Sequence, residues 1–175
     1  VAVRRAGVAF VVGDLALWGA VALVAASLGT TGFADLADLG PTAGTAVGAL
    51  IGLAAVARAA AMPFHGWLPA TVSSTTPVSA LLHAGFVNAG AVLLLRADAI
   101  PSLGAPLVVG VAGALTVVLA GAAMLTRADV KGRLVQSTAA QMGFMLLACS
   151  LGAFAVALVH VVGHALFKAS LFLGA

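Results

Sequence analysis

His160, His164 and Lys168 recur at intervals of four in the apolar segment VHVVGHALFKASLFL. That spacing sets all three on one stripe of a helix. Successive groups stand about 6 Å apart along the axis at 1.5 Å rise per residue. A neutral imidazole can accept a proton at one nitrogen and donate from the other, and its ordinary pKa of about 6.5 makes both states reachable. A desolvated lysine can release its proton, which an arginine does not do in proteins. Three such groups in line can act as a chain of proton stations. The plain alternative is packing, with each group satisfied by neighbouring helices. Histidines at i and i+4 can also share a zinc, but no third ligand follows, and cationic Lys168 one turn on opposes a metal.

A second concentration of chemistry lies in RAAAMPFHGWLPATVSSTTPVSALLHAG, residues 58–85. Proline removes an amide donor and frees a carbonyl one turn back. Pro63, Pro69 and Pro77 therefore read as helix breaks, with Arg58 beside the first. A broken helix is tolerated in a bilayer only against protein or a water-filled cavity, and transporters use such breaks to bring charge to mid-membrane sites. His83 is expected to sit on the span that follows as a further proton station, and His65 to belong to the break. The SSTT run, residues 73–76, reads as a polar turn whose hydroxyls can cap the next helix. Asp14, in VVGDLALW, is most simply a counter-charge for a basic group such as Arg58; an arginine reaching to the membrane interface is the other reading of Arg58.

These groups need an apolar frame. Of the 175 residues 63% are hydrophobic and 7% charged, against about 25% charged in a soluble domain. Apolar runs at roughly 6–28, 43–62, 78–97, 103–126, 134–151 and 153–174 match the ~20 residues that cross a bilayer. The expected fold is all-α: a polytopic bundle of about six spans, one of them broken, with residues 1–175 forming a single transmembrane domain. Runs this long without alternation exclude a barrel. An Arg, Lys or Asp at a helix centre costs about 2.5–3.5 kcal/mol on insertion scales, so each of the embedded charges needs a partner, a cavity or a task. Arg4 and Arg5 before the first span, and Arg127, Lys131 and Arg133 after the fourth, place those ends on the cytoplasmic side of the cell membrane. The start at Val1 and the stop just after a span suggest a piece of a longer protein. Basic residues at span ends argue against nucleic-acid binding. With no cysteine cluster, dinucleotide glycine motif or haem motif, the chain is expected to hold no cofactor and no redox or catalytic centre of its own.

The 58–85 stretch resembles the broken-helix signature of the proton-translocating antiporter-like membrane subunits. That family covers the L, M and N subunits of respiratory complex I, the large Mrp sodium/proton antiporter subunits, and the DabB subunit of inorganic-carbon uptake. STAAQMGFMLLACSLGAFAVALVHVVGHALFKASLFL resembles its second signature, and FVVGDLALWGAVALV with LGTTGFADL looks like its sixth span and the loop after it. The resemblance implies a bundle of about fourteen helices in two inverted repeats, of which this chain holds the sixth to eleventh. It implies a broken-helix lysine paired with a glutamate two helices earlier, and a proton route on the eleventh helix. By motif, that lysine falls on Arg58, the eighth-span histidine on His83, and the eleventh-helix set on His160, His164 and Lys168.

Two departures stand out. Arginine replaces the relay lysine at position 58, so the site sets a fixed charge and does not ionise. No glutamate occurs anywhere in the chain, so the implied carboxylate lies elsewhere. HAGFVNAGAVLLLR and PFHGWLPA look closer to the DabB branch than to complex I. That branch implies a proton or cation path coupled to inorganic-carbon uptake, working with a zinc-bearing DabA-like partner. The alternatives are a subunit of the proton-pumping NADH:quinone oxidoreductase or of an Mrp sodium/proton antiporter, with the other membrane subunits of those complexes as partners.

Overall fold

The computed structural model describes residues 2–71, 74–100 and 104–174; Ser73 of the polar run and Leu103 of the fourth apolar run lie outside them. Seven α-helices follow in order: α1 Ala2–Leu28, α2 Pro41–Arg58, α3 Thr76–Ala84, α4 Ala89–Arg96, α5 Gly104–Leu125, α6 Val130–Ser150 and α7 Phe154–Leu173. No strand occurs among the described residues. By length and composition, α1, α2, α5, α7 and the α3–α4 pair can each cross a membrane. The remaining helix, α6, is as long as a span but less apolar. It carries Lys131, Arg133, Gln136, Ser137, Thr138 and Gln141, and Ser137 and Gln141 turn out to face the functional stripe.

Helix α2 is central, packed on α1, α4 and α5, while α6 packs on α5 and α7, and α3 lies along α7. Small residues set these distances, as expected where lipid gives no hydrophobic drive between helices. A Cβ on Gly113 of α5 would stand 2.9 Å from the Gly143 carbonyl oxygen of α6, and one on Gly143 would stand 2.8 Å from that of Gly113. The two backbones therefore touch. Gly90 of α4 meets α2 in the same manner, at Ala55 and Ala59. Large apolar side chains such as Leu15, Trp18, Leu107, Val118, Leu125 and Leu166 point outward.

The break after α2 is not made by Pro63. The helix ends at Arg58, and Ala60, fully buried, takes a left-handed φ of 51°. The Ala61 amide then donates back to Val56 O at 3.1 Å, the hydrogen bond that closes a left-handed helix end. A non-glycine residue in this conformation costs about 1–2 kcal/mol. The chain continues through single 3-10 turns at His65–Trp67 and Pro69–Thr71. Groups freed by the break find protein partners: the Met62 amide donates to Thr116 Oγ1 at 2.8 Å, and the Trp67 indole donates to Ala57 O at 3.2 Å. Pro77 starts a helix instead of breaking one. It sits in the first turn of α3, where its missing amide has no intrahelical acceptor to lose. Thr75 precedes that helix without a side-chain cap bond.

A second interruption was not anticipated. The span containing His83 is split at Gly85, with a 3-10 turn at Phe86–Asn88 between α3 and α4. Asn88 Nδ2 donates to Ala84 O at 2.8 Å and satisfies one of the carbonyls released. A break here leaves the last carbonyls of α3 without intrahelical partners, just where α3 meets α7.

Candidate functional site

Two separate clusters hold the ionisable residues. On α1 and α2, Arg58 Nη2 donates to Asp14 Oδ1 in an ion pair. The Arg58 side chain is 20% exposed and that of Asp14 58%. Arg58 Nη1 is buried without a protein partner among the described residues. Arg58 is the last residue of α2, so its guanidinium leaves the helix where the chain departs from helical geometry.

The second cluster is built on α7. His164 and Lys168 are buried and His160 half-buried, all on the face turned toward α3 and α6. The rings of His160 and His164 lie nearly parallel, with centroids 6.1 Å apart. His164 Nε2 donates to the backbone carbonyl of His83 at 2.9 Å, and its Nδ1 stands 2.7 Å from Gln141 Oε1. Lys168 Nζ donates to Leu134 O at 3.2 Å and to Ser137 Oγ at 3.1 Å, both on α6. The His83 ring stacks on Phe172 at 4.7 Å. With its carbonyl at His164 and its ring at Phe172, His83 spans the turn of α7 that carries Lys168. Both His83 ring nitrogens are buried without a protein partner among the described residues. Among the described residues, no hydrogen bond or ion pair joins this cluster to Arg58 and Asp14.

His83, His164 and Lys168 thus come together as the stripe requires, with His160 one turn away. The polar contacts from α6 were missed. Gln141 and Ser137 are one helical turn apart within STAAQ, a run too polar for a lipid-facing surface, and that spacing was the available signal. Lys131, at the start of α6, donates to Ser74 O at 2.9 Å, and the Ser74 and Ser79 hydroxyls lie 2.9 Å apart. Ser79 and His83 are both buried on α3, a spacing that makes them neighbours on one face. His65 is exposed in its 3-10 turn, away from the stripe. It lines a cavity of about 140 Å³ with Met62, Thr116 and Gln136. A second cavity of about 160 Å³ shares Pro69 and Gln136 with the first and is also lined by Arg127 and Asp129.

Chemically, the α7 cluster offers three ionisable groups in a row, of which His164 and Lys168 are buried and held by carbonyl, hydroxyl and amide partners. Residues of this kind can bind, hold and pass on protons.

Comparison with known proteins gives a consistent picture. The family model described as NADH:quinone oxidoreductase/Mrp antiporter, transmembrane, matches residues 2–175. The chain is 46% identical over 126 residues to a probable inorganic carbon transporter subunit DabB2 from Halothiobacillus neapolitanus, covering 71% of this chain and 23% of that protein. It is 38% identical over 172 residues to NADH-ubiquinone oxidoreductase chain 5 of Schizophyllum commune, covering 94% and 25% respectively. Among solved structures it superposes on a chain of the Mrp complex from Dietzia sp. DQ12-45-1b with a TM-score of 0.88 and 35% identity, covering 98% of this chain and 20% of that one. The chain spans about a quarter of the length of these curated relatives.

Proposed function

This chain belongs to the NADH:quinone oxidoreductase/Mrp antiporter transmembrane family, and from that premise we propose that it forms part of a proton or cation path in a multi-subunit membrane complex. The observation that carries the reading is the buried row of His164 and Lys168, with the half-buried His160 one turn away and His83 beside it. A buried ammonium is costly in low dielectric unless it is paired or functional. Among the described residues, Lys168 bonds to neutral acceptors, a carbonyl and a hydroxyl, and to no carboxylate. Neutral acceptors of this kind let it lose its proton without breaking an ion pair to them. Arg58, paired with Asp14, is a fixed charge that shapes the field near the helix break.

The identity to DabB proteins leads us to propose coupling of this path to inorganic-carbon uptake, with a zinc-bearing DabA-like subunit as partner. The alternative is a pumping subunit of an NADH:quinone oxidoreductase; it is favoured by the longer stretch aligned with the chain 5 relative. The test is uptake of labelled bicarbonate by vesicles containing the full-length protein and its partner. Uptake should rise with an imposed proton or sodium gradient and fall when an ionophore collapses it. Uptake indifferent to both gradients would overturn the coupling. Proton pumping driven by NADH and dependent on this subunit would establish the alternative.

A further inference from the structure

We infer that His164 exchanges its proton through Nδ1 alone, and that Gln141 is the positioning residue that turns its side-chain amide to follow that proton. The inference rests on the proton-path reading for its functional meaning but stands on the geometry of one imidazole. His164 Nε2 is 2.9 Å from the backbone carbonyl of His83. A carbonyl can only accept, so Nε2 must carry a hydrogen in every state that keeps this contact. The neutral ring is then the Nε2–H tautomer, and the proton that comes and goes belongs to Nδ1.

Nδ1 faces Gln141 at 2.7 Å. With Oε1 toward the ring, both nitrogens meet oxygens, which is the pattern of an imidazolium donating twice. A neutral His164 presents a lone pair at Nδ1 instead, and an oxygen facing it would be repelled. A half-turn of the Gln141 amide resolves this, because its NH₂ group then donates to the bare nitrogen. Glutamine carries both an acceptor and a donor at the same reach. It can partner either state of the ring without moving α6. A carboxylate or an apolar residue at that position could not serve both states.

This narrows how protons move along the stripe. A ring free at both nitrogens could take a proton on one side and pass it on from the other. His164 is pinned on its α3 side by a carbonyl exposed where α3 gives way to the Gly85 interruption. Its single port opens toward α6, so a water that reaches Nδ1 when the Gln141 side chain swings aside must both deliver and remove the proton, and the Gln141 amide then partners whichever state is left.

The test uses full-length protein in lipid with ¹⁵N-labelled histidine, read by solid-state NMR as a difference between native protein and His164→Gln. The neutral form of His164 should show hydrogen on Nε2 and none on Nδ1. A neutral form protonated at Nδ1 would overturn the pinned port. In gradient-coupled transport matched for protein level, Gln141→Leu should lose about ten- to hundredfold, the value of one hydrogen bond to a charged group. Transport at the native level would overturn the role of Gln141. If Gln141→Leu fails to accumulate, Gln141→Met, a side chain of the same length, takes its place. Full activity of Lys168→Met would remove the proton-path reading but leave the NMR result to decide the tautomer.

Discussion

Replacing Lys168 with methionine exchanges a fully buried ammonium for an apolar chain of similar length. The native group makes two hydrogen bonds, to Leu134 O at 3.2 Å and Ser137 Oγ at 3.1 Å. Bonds from a charged donor contribute about 1.5–3 kcal/mol each, but burying the ion costs several kcal/mol, so the two nearly cancel. The acceptors left behind are not stranded. Leu134 O also accepts from Thr138 Oγ1 at 3.0 Å, and the Ser137 hydroxyl can turn to a carbonyl of its own helix. Lys168→Met should therefore fold and assemble with a stability change within about 2 kcal/mol. Transport should fall by about 10²–10⁴-fold, the usual loss when a positioned proton-transfer group is removed. Lys168→Arg should fail as well, because the charge persists and cannot leave. The assay is gradient-coupled uptake in membranes matched for the amount of assembled protein. Activity retained by the arginine variant would refute proton release at this position, and normal activity in the methionine variant would refute the station altogether.

Arg58→Lys should keep much of the transport activity, since position and sign persist, and Arg58→Ala should lose it; full uptake by the alanine variant would reduce the arginine to an anchor. The stability cost of Arg58→Ala, read from thermal unfolding in detergent, should fall well below the ~3–5 kcal/mol of a broken buried pair, because Asp14 is more than half exposed. His83→Phe preserves the stack on Phe172 while deleting both ring nitrogens. It should assemble normally and transport poorly, whereas full uptake would assign the ring to packing. His160→Ala should slow transport without loss of protein from the membrane, and disappearance of the folded protein would mark a packing residue. Gly90→Ala would place a Cβ against the Ala55 carbonyl of α2 and should lower stability by about 1–3 kcal/mol; an unchanged unfolding temperature would contradict the tight α2–α4 contact.

Much of this arrangement can be read before any coordinates. The length and apolarity of the runs define the helices, and the four-residue spacing of His160, His164 and Lys168 holds on α7. The site at which a helix ends is less legible. Pro63 was the obvious candidate, yet the turn is made by Ala60, and an alanine in a left-handed conformation carries no signal in composition or spacing. The Ala61–Val56 hydrogen bond and the packing around Ala60 hold it there. The Gly85 interruption is similarly obscure, because glycine is common throughout this chain and several of its glycines serve close helix contacts instead. Gln141 was missed for another reason. Its importance lies in what faces it across an interhelical gap, and periodicity along one helix does not report on its neighbour.

The Asp14–Arg58 pair bears on how the chain enters the bilayer. Asp14 lies midway along α1, a long and strongly apolar helix, whereas α2 is shorter, less apolar and ends on a cation. The first helix can carry one carboxylate into lipid at about 2.5–3.5 kcal/mol and still favour insertion. The second meets an anion already in place at the depth where its own charge must settle. Of these two helices, α1 brings the acid and α2 the cation that pairs with it, forty-four residues further along the chain. A helical hairpin, and not either helix singly, is the unit that comes to rest.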